Sequence, residues 1–227
     1  MMNPCVIPEP AEDTVGDGRW MSMHNRYIQE AKTSESEVLF IGDSIIQQLQ
    51  FSTLWSEKIS ALHCINFGIG GDRVENVLWR VRNGELDFNT RIKAVVLFVG
   101  TNNLDCTPHE IFEGILEIIK EIKSRLGNVA IILPTLLPKG QYPNPYRDRN
   151  DHVNTFLLDK FFNEANVDEV TENVHVVVID DHIIGNDQTI SHHIMHDYLH
   201  LTNSGYTKVF GRVYEKLCEI LKVTSRK

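Results

Sequence analysis

Short apolar runs alternate along this chain with longer stretches in which apolar and polar residues recur at helical spacing. Short runs rich in Val and Ile are typical of strands that are buried on both faces of a sheet. Their alternation with amphipathic stretches predicts βα units, and therefore a parallel sheet and an α/β fold. The predicted strands are Val38–Ile41, Leu62–Phe67, Ala94–Val99, Ala130–Leu133 and His175–Ile179.

Two helices are specified by the spacing of their apolar residues. The first begins at Thr107-Pro108-His109-Glu110, where Thr can cap, Pro takes the first helical position and Glu can close a capping box. Its apolar residues follow at spacings of three and four from Ile111 to Leu126, so one face should meet the core. The second helix runs to the C-terminal side of Tyr206 with the same pattern, and further helices are predicted at about 19–32, 74–82 and 150–164.

The length and the continuous alternation of elements predict a single domain over residues 18–227. Residues 1–17 are acidic, contain prolines and have no apolar periodicity, so they are predicted to form an N-terminal arm. Ligands of open parallel sheets bind outside the carboxyl ends of the strands. The residues that directly follow each predicted strand are therefore the candidates for function.

The charge and the cysteines limit the partners and the compartment. A net charge of −9 without clustered Lys and Arg argues against a nucleic-acid partner. No leader-like segment is evident, and no apolar run approaches the roughly 18–20 residues of a membrane-spanning helix. Cys5, Cys64, Cys106 and Cys218 form no C-x-x-C pair, and free thiols suit a reducing compartment. A cytoplasmic protein with no membrane span is therefore expected.

The first predicted strand is followed by Gly42-Asp43-Ser44-Ile45. A serine at a strand-to-helix turn lies near a helix N-terminus, where free N–H groups and the helix dipole can stabilise a developing oxyanion. The alternative is that Asp43 or Ser44 only caps the next helix. The G-x-S-x-G motif of α/β-hydrolases is absent.

The next two strand ends carry glycines and an asparagine. Gly68, Gly70 and Gly71 resemble a dinucleotide-binding fingerprint, but Arg73 stands where its third glycine belongs. These glycines indicate either a close backbone approach to a ligand or merely a tight turn. Asn102, after the third strand, can donate to an oxyanion, although Asn is also a common turn residue.

A histidine-rich segment precedes the last helix. Asp197 and His200, three residues apart, can pair a carboxylate with an imidazole, which fixes the tautomer of the ring. The alternative is a metal site on a helix, because His192, His196 and His200 recur every fourth residue. The carboxylate base that usually stands between such histidines is missing.

Taken in order, the serine, the glycines, the asparagine and the D-x-x-H segment form a four-block pattern that resembles the SGNH (GDSL-like) hydrolase superfamily. Within it, the chain resembles more closely the catalytic α subunits of intracellular platelet-activating factor acetylhydrolase, type Ib. The resemblance implies a flavodoxin-like three-layer α/β/α sandwich with a five-stranded parallel sheet. It rests on the fragments VLFIGDSIIQQL, LHCINFGIGGDRVENVLWRVRNGEL, VVLFVGTNN, LLPKGQYPNPYRDRNDHVN and HDYLHLTNSGY.

The resemblance also implies the roles of individual residues. The nucleophile falls on Ser44, the general base on His200 and the residue that orients the base on Asp197. No metal and no organic cofactor is implied. The implied oxyanion hole consists of the N–H groups of Ser44 and Gly71 and the side chain of Asn102, and the implied acyl pocket of Ile45, Thr101 and Leu199.

The implied reaction is hydrolysis of a short acyl ester, such as the sn-2 acetyl ester of platelet-activating factor. The implied partners are a second α subunit, in a homo- or heterodimer, and a WD-repeat lissencephaly-type regulatory subunit. Two alternatives to this hypothesis remain open. In the first, the chain is mainly a non-catalytic binding subunit for the WD-repeat protein. In the second, it is an acetylesterase that acts on another acetylated small molecule.

Overall fold

A five-stranded parallel sheet forms the centre of the protein, which a computed structural model describes over residues 2–162, 168–179 and 183–224. The strands are β1 (Val38–Gly42), β2 (Cys64–Gly68), β3 (Ala94–Phe98), β4 (Ala130–Pro134) and β5 (Val174–Val177). Their order in the sheet is β2-β1-β3-β4-β5, which is the flavodoxin-like order of α/β folds. The predicted fold class is confirmed.

The three inner strands β1, β3 and β4 are buried along their whole length, as their Val and Ile content requires. The edge strands β2 and β5 are half-buried at their first residues. In the register of the sheet, Gly42 lies opposite both Gly68 and Phe98. The segments that follow β1, β2 and β3 therefore leave the sheet side by side, at its carboxyl edge.

The last strand was predicted at His175–Ile179, whereas β5 is Val174–Val177. Two other predicted boundaries are wrong for local reasons. Leu62 was expected to begin the second strand, but it ends a short helical turn, and His63 has a left-handed backbone with φ of 53°. The helix expected from residue 150 begins at Pro145, because the Asn144 side chain accepts hydrogen bonds from the N–H groups of Tyr146 and Arg147. Positions 163 and 164 of that predicted helix lie outside the described residues.

The principal helices are α1 (Arg19–Thr33), α2 (Ser44–Leu49), α3 (Val74–Arg82), α4 (Pro108–Leu126), α5 (Pro145–Phe162) and α6 (Asn203–Leu221). The predicted capping box of α4 is present, with Thr107 and Glu110 each accepting from the other's N–H group. The apolar residues of α4 from Ile111 to Ile122 are buried, as their spacing predicts. None of the described helices combines the length and the apolar character that crossing a lipid bilayer requires.

The first residues of the predicted N-terminal arm dock on α4. A helical turn at Pro4–Val6 buries Cys5 completely, and the Asn3 amide donates to the carbonyl of Glu110 and to the carboxylate of Glu113. Gly114 makes this contact possible, because a Cβ atom there would lie 2.7 Å from the Cys5 carbonyl oxygen. The beginning of the arm is therefore part of the packed body.

Candidate active site

The turn between β1 and α2 presents Ser44. Gly42 is required there by close packing, since a Cβ atom at this position would lie 1.9 Å from the carbonyl oxygen of Phe98. Asp43 caps α2 by accepting a hydrogen bond from the Ile45 N–H at 2.9 Å, so the capping alternative holds for Asp43. Ser44 is the first residue of the helix and is only partly buried. Its hydroxyl is thereby left to make a different contact.

That contact is with His200, whose Nε2 lies 2.9 Å from the Ser44 Oγ. The Nδ1 of the same ring lies 2.7 Å from the Asp197 Oδ2. An ionised carboxylate only accepts, so Nδ1 carries the proton and Nε2 is free to accept from the serine hydroxyl. The structure thus brings Ser44, His200 and Asp197 together in one hydrogen-bonded chain.

The Asp197 carboxylate is held by three donors. Its Oδ1 accepts from the N–H groups of Leu199 and His200, at 3.0 and 2.7 Å, while its Oδ2 accepts from the His200 ring. Partial burial raises the pKa of Asp197, but the hydrogen bonds from the side chain and backbone of His200 and from Leu199 outweigh this and bring the pKa to about 2. Asp197 is therefore a carboxylate at neutral pH and can accept the hydrogen bond from the His200 ring.

The segment that carries these residues forms turns rather than a helix, and Tyr198 has a left-handed φ of 62°. The helical metal site suggested by three regularly spaced histidines is therefore not formed. The group that could ligate a metal within the described residues consists of His196, Asp197 and His200, and His200 already uses both ring nitrogens. His192 is exposed and contacts the ring of His193 instead.

The three predicted oxyanion donors lie at neighbouring strand ends. Within the described residues, the N–H groups of Ser44 and Gly71 have no hydrogen-bond acceptor. Gly71 has φ of 88°, and no atom lies within 4 Å of where its Cβ would be, so it borders open space. The Asn102 amide donates to the carbonyl of Asp72 at 2.9 Å, which leaves its second N–H available. Such an arrangement offers several donors to an anionic oxygen.

The glycines after β2 permit a close backbone approach, but at Gly68 the approach is to α2 rather than to a ligand. A Cβ atom at Gly68 would lie 2.2 Å from the backbone nitrogen of Gln47, so β2 can reach α2 only with glycine there. The Gly70 N–H donates to the Gln47 side chain at 3.1 Å. Gly68 thus serves packing, whereas Gly71 faces the site.

A buried guanidinium beneath the site was not predicted. Arg80 donates to the carbonyls of Gly42 and Phe67, at 3.1 and 2.9 Å, and pairs with the carboxylates of Asp72 and Glu85. Burial disfavours its charged form, but Glu85 and Asp72 outweigh this and raise the pKa of Arg80. Arg80 therefore ties the ends of β1 and β2 together directly below the serine turn. Arg80 stands three residues after Val77, a spacing that puts both on one face of α3, and this spacing was the signal in the sequence.

The residues of the predicted acyl pocket differ in exposure. Ile45 and Thr101 are buried, and Leu199 is half-buried. Each is the chain neighbour of a site residue, so all three lie beside the reacting groups. Their role as the wall of a pocket remains a prediction.

The amino-acid sequence has clear relatives. Residues 40–208 match the profile of the GDSL-like Lipase/Acylhydrolase family. The chain is 43% identical over 222 residues to "Platelet-activating factor acetylhydrolase IB subunit alpha2" of Homo sapiens, covering 98% of this chain and 93% of that protein. It is 41% identical over 220 residues to "Platelet-activating factor acetylhydrolase IB subunit beta homolog" of Drosophila melanogaster, covering 97% of this chain and 94% of that protein.

Solved structures share the fold at much lower identity. A GDSL-like lipase from Bacteroides thetaiotaomicron superposes with a TM-score of 0.69 at 19% identity, covering 86% of this chain and 97% of that one. Est24, a carbohydrate acetylesterase from Sinorhizobium meliloti, superposes with a TM-score of 0.58 at 13% identity, covering 82% and 99%. At such identities the likeness shows a common architecture.

Proposed function

This chain belongs to the GDSL-like lipase/acylhydrolase family, and from that premise we propose that it is a serine esterase in which Ser44 is the nucleophile. Membership confirms the resemblance that the order of the motifs predicted, and with it a hydrolase chemistry. The observation that carries the proposed roles is the hydrogen-bonded chain from Asp197 through His200 to the Ser44 hydroxyl.

In the first step the Ser44 Oγ attacks the carbonyl carbon of an ester while the His200 Nε2 takes the hydroxyl proton. Asp197 holds the ring in the correct tautomer and stabilises the imidazolium that forms. The carbonyl oxygen becomes an oxyanion, for which the N–H groups of Ser44 and Gly71 and the free N–H of Asn102 are the donors. Donors fixed before the reaction lower its barrier without reorganisation.

In the second step the bond from the carbonyl carbon to the leaving alcohol breaks, and His200 returns its proton to that alcohol oxygen. An acyl group then remains on Ser44. Water attacks this acyl-enzyme with His200 again acting as the base, which releases the carboxylic acid and restores the serine. The proposed steps need no metal or organic cofactor.

The proposed substrate is a short acyl ester, with the sn-2 acetyl group of platelet-activating factor as the leading candidate. Two relatives that are 41–43% identical over nearly the whole chain carry platelet-activating factor acetylhydrolase in their names. The aliphatic side chains of Ile45 and Leu199, beside the nucleophile and the base, are consistent with a small acyl pocket. An acetylesterase of another small molecule uses the same chemistry, so a substrate panel separates the two.

We also propose a cytoplasmic enzyme that pairs with a second α-type subunit and binds a WD-repeat lissencephaly-type regulatory subunit. The word "subunit" in the names of both relatives supports assembly with another chain, and the compartment and the WD-repeat partner rest on the resemblance described above. Light scattering of the purified chain tests the pairing: a dimeric mass is expected, and a monomer at all concentrations contradicts it.

The test of the function is to replace the Ser44 hydroxyl. Ser44→Ala should lose nearly all activity towards nitrophenyl acetate, on the order of 10⁶-fold where the three residues act as a unit, while it keeps its fold. The matched control is Ser60→Ala, because Ser60 is an exposed serine whose hydroxyl donates to a backbone carbonyl within its own turn.

An organophosphate probe supplies a second readout. It should label wild type and Ser60→Ala at Ser44, identified by peptide mass spectrometry, and leave Ser44→Ala unlabelled. Activity of Ser44→Ala within about tenfold of wild type, or labelling elsewhere, would refute the assignment. An unlabelled and inactive wild type would favour the non-catalytic binding subunit instead.

A further inference from the structure

A second buried guanidinium, that of Arg149 on α5, spans the two sides of Asn102. Its Nη1 donates to the carbonyl of Asn103 at 2.5 Å, and its Nη2 donates to the carbonyl of Thr101 at 3.1 Å. Its remaining bonds go to the side chain of its own neighbour, Asn150, which in turn donates to the carbonyl of Leu137. One side chain therefore links α5 to both ends of the Asn102 turn.

Arg149 is buried without a counter-ion. Only 7% of its surface is exposed, and no carboxylate among the described residues lies within ion-pair distance. Burial accordingly lowers the pKa of Arg149. Its charge is balanced by carbonyl and amide dipoles and by the ring of Tyr146, whose centroid lies 5.8 Å from the guanidinium carbon. A buried charge without an ionic partner is costly compared with a well-packed apolar side chain. Folding alone is thus a poor reason for a guanidinium at this position.

Among the described residues, the carbonyl of Thr101 accepts a hydrogen bond only from Arg149. The carbonyl of Asn103 accepts from Arg149 and from the Cys106 N–H, and the carbonyl of Asn102 accepts from the Leu104 N–H. The Asn102 side chain is steered from the other side by the Asp72 carbonyl. Arg149 thus holds the backbone on both sides of Asn102, while the bond to the Asp72 carbonyl sets the direction of the side-chain amide.

We propose that Arg149 is a positioning residue for ester hydrolysis, which holds the Asn102 amide where the oxyanion forms. The inference rests on the proposed function, in which Asn102 is an oxyanion donor. Loss of one such donor typically lowers kcat by 10²–10³-fold, and displacement by about 1 Å can cost up to roughly 10²-fold.

The experiment is a double-mutant cycle between Arg149→Met and Asn102→Ala, with circular dichroism and thermal unfolding to verify the fold. Arg149→Met should lower kcat by about 10–100-fold and leave KM within about threefold, because the donor acts in the transition state. Arg149→Lys should recover part of kcat, since an ammonium can reach one carbonyl but not both. Arg149→Met combined with Asn102→Ala should be no slower than Asn102→Ala alone.

Arg147→Met is the matched control. Arg147 is equally buried on the same helix and also donates to backbone carbonyls, those of Gly140, Gln141 and Gln188. The effects of Arg147→Met and Asn102→Ala on kcat should be independent, so the double variant should show the product of the two single effects.

Independent, multiplying effects of Arg149→Met and Asn102→Ala overturn the inference, as does a folded Arg149→Met enzyme with kcat within threefold of wild type. Should Arg149→Met fail to fold, Arg149→Lys is carried through the same cycle and must show its loss absorbed by Asn102→Ala. An unchanged kcat in Asn102→Ala overturns the oxyanion assignment itself, and the inference with it.

Discussion

The hydroxyl of Tyr206 donates a hydrogen bond to the carbonyl of Ile45 across 2.8 Å. Tyr206 lies near the start of α6, a few residues after His200, and Ile45 directly follows Ser44. The bond therefore connects the segment that carries the proposed base to the helix that carries the proposed nucleophile. Burial raises the pKa of Tyr206, so the phenol remains a donor at any pH used for an assay.

Tyr206→Phe should loosen this connection. The free energy of unfolding should fall by about 1 kcal/mol, the usual net worth of a hydrogen bond, and kcat should fall several-fold as the distance between base and hydroxyl becomes less well defined. Urea unfolding and steady-state kinetics measure the two effects. Tyr142→Phe is the control, because Tyr142 is 62% exposed. Equal behaviour of the two variants would show that the bond has no such role.

Asp43→Asn should change how stability depends on pH. Burial raises the pKa of Asp43 from 3.8 to about 7, and its Oδ2 has no hydrogen-bond partner among the described residues. Between these values the folded protein keeps a proton that the unfolded chain has released. Its stability therefore falls as pH rises from about 4 to 7, by roughly 1.4 kcal/mol per pH unit at most.

The Asn variant keeps the Oδ1 acceptor but cannot titrate. Its free energy of unfolding relative to wild type should thus increase between pH 5 and 7 and level off above pH 7. Asp168→Asn is the control, because the Lys160 side chain lowers the pKa of Asp168 to about 2 and its difference from wild type should stay flat over this range. A flat difference for Asp43→Asn as well would mean that Asp43 is ionised at little cost.

Leu199→Ala should widen the range of accepted acyl chains. In wild type, extra methylenes forced into a packed pocket cost roughly 1–3 kcal/mol, so butyryl esters should react at least about tenfold more slowly than acetyl esters. The variant should reduce that ratio. Leu62→Ala is the control, because Leu62 is also half-buried but lies before β2, at the amino-terminal ends of the strands. It should leave the ratio unchanged. Wild type that hydrolyses butyrate as fast as acetate has no closed pocket.

Histidine substitutions should separate the base from its neighbours. His200→Ala should be almost inactive, whereas His192→Ala and His193→Ala should keep most of the rate, since both are exposed side chains outside the hydrogen-bonded chain.

Prolonged chelation should leave the rate unchanged, and elemental analysis should find no stoichiometric zinc. Activity that is lost on chelation and restored by added metal would support a site at His196, Asp197 and His200 instead.

The sheet and α4 were predictable because their signals are local. A threonine, a proline and a glutamate at fixed spacing place the start of α4, and runs of Val and Ile place β3 and β4. The start of β2 was misplaced because Leu62 is apolar yet belongs to a turn, and the left-handed residue that ends this turn is a histidine rather than a glycine. Tertiary packing, not periodicity, decides such a boundary.

The residues of the site likewise divide into those that the sequence predicts and those that depend on tertiary packing. Ser44 and Asn102 directly follow strands, so the rule for parallel sheets placed both at the carboxyl edge of the sheet. That His200 joins them was implied by the resemblance of the ordered motifs to a known family. The roles of Arg80 and Arg149 were not predicted, because a charged residue on a helix usually faces solvent and because several of their partners are backbone carbonyls. A carbonyl exists at every position, so no residue type in the sequence marks the one that a guanidinium will bind.

The docked turn at Pro4–Val6 constrains the order in which the protein can be assembled during synthesis. Asn3 is synthesised before its two partners on α4, which follow it by 107 and 110 residues. Until α3 and α4 have been made and packed, the surface at Gly114 against which Cys5 is buried does not exist. The turn at Pro4–Val6 can therefore dock only after α4 has been made, long after its own synthesis. A fusion placed ahead of Asn3 would burden that late docking step and leave formation of the sheet unaffected.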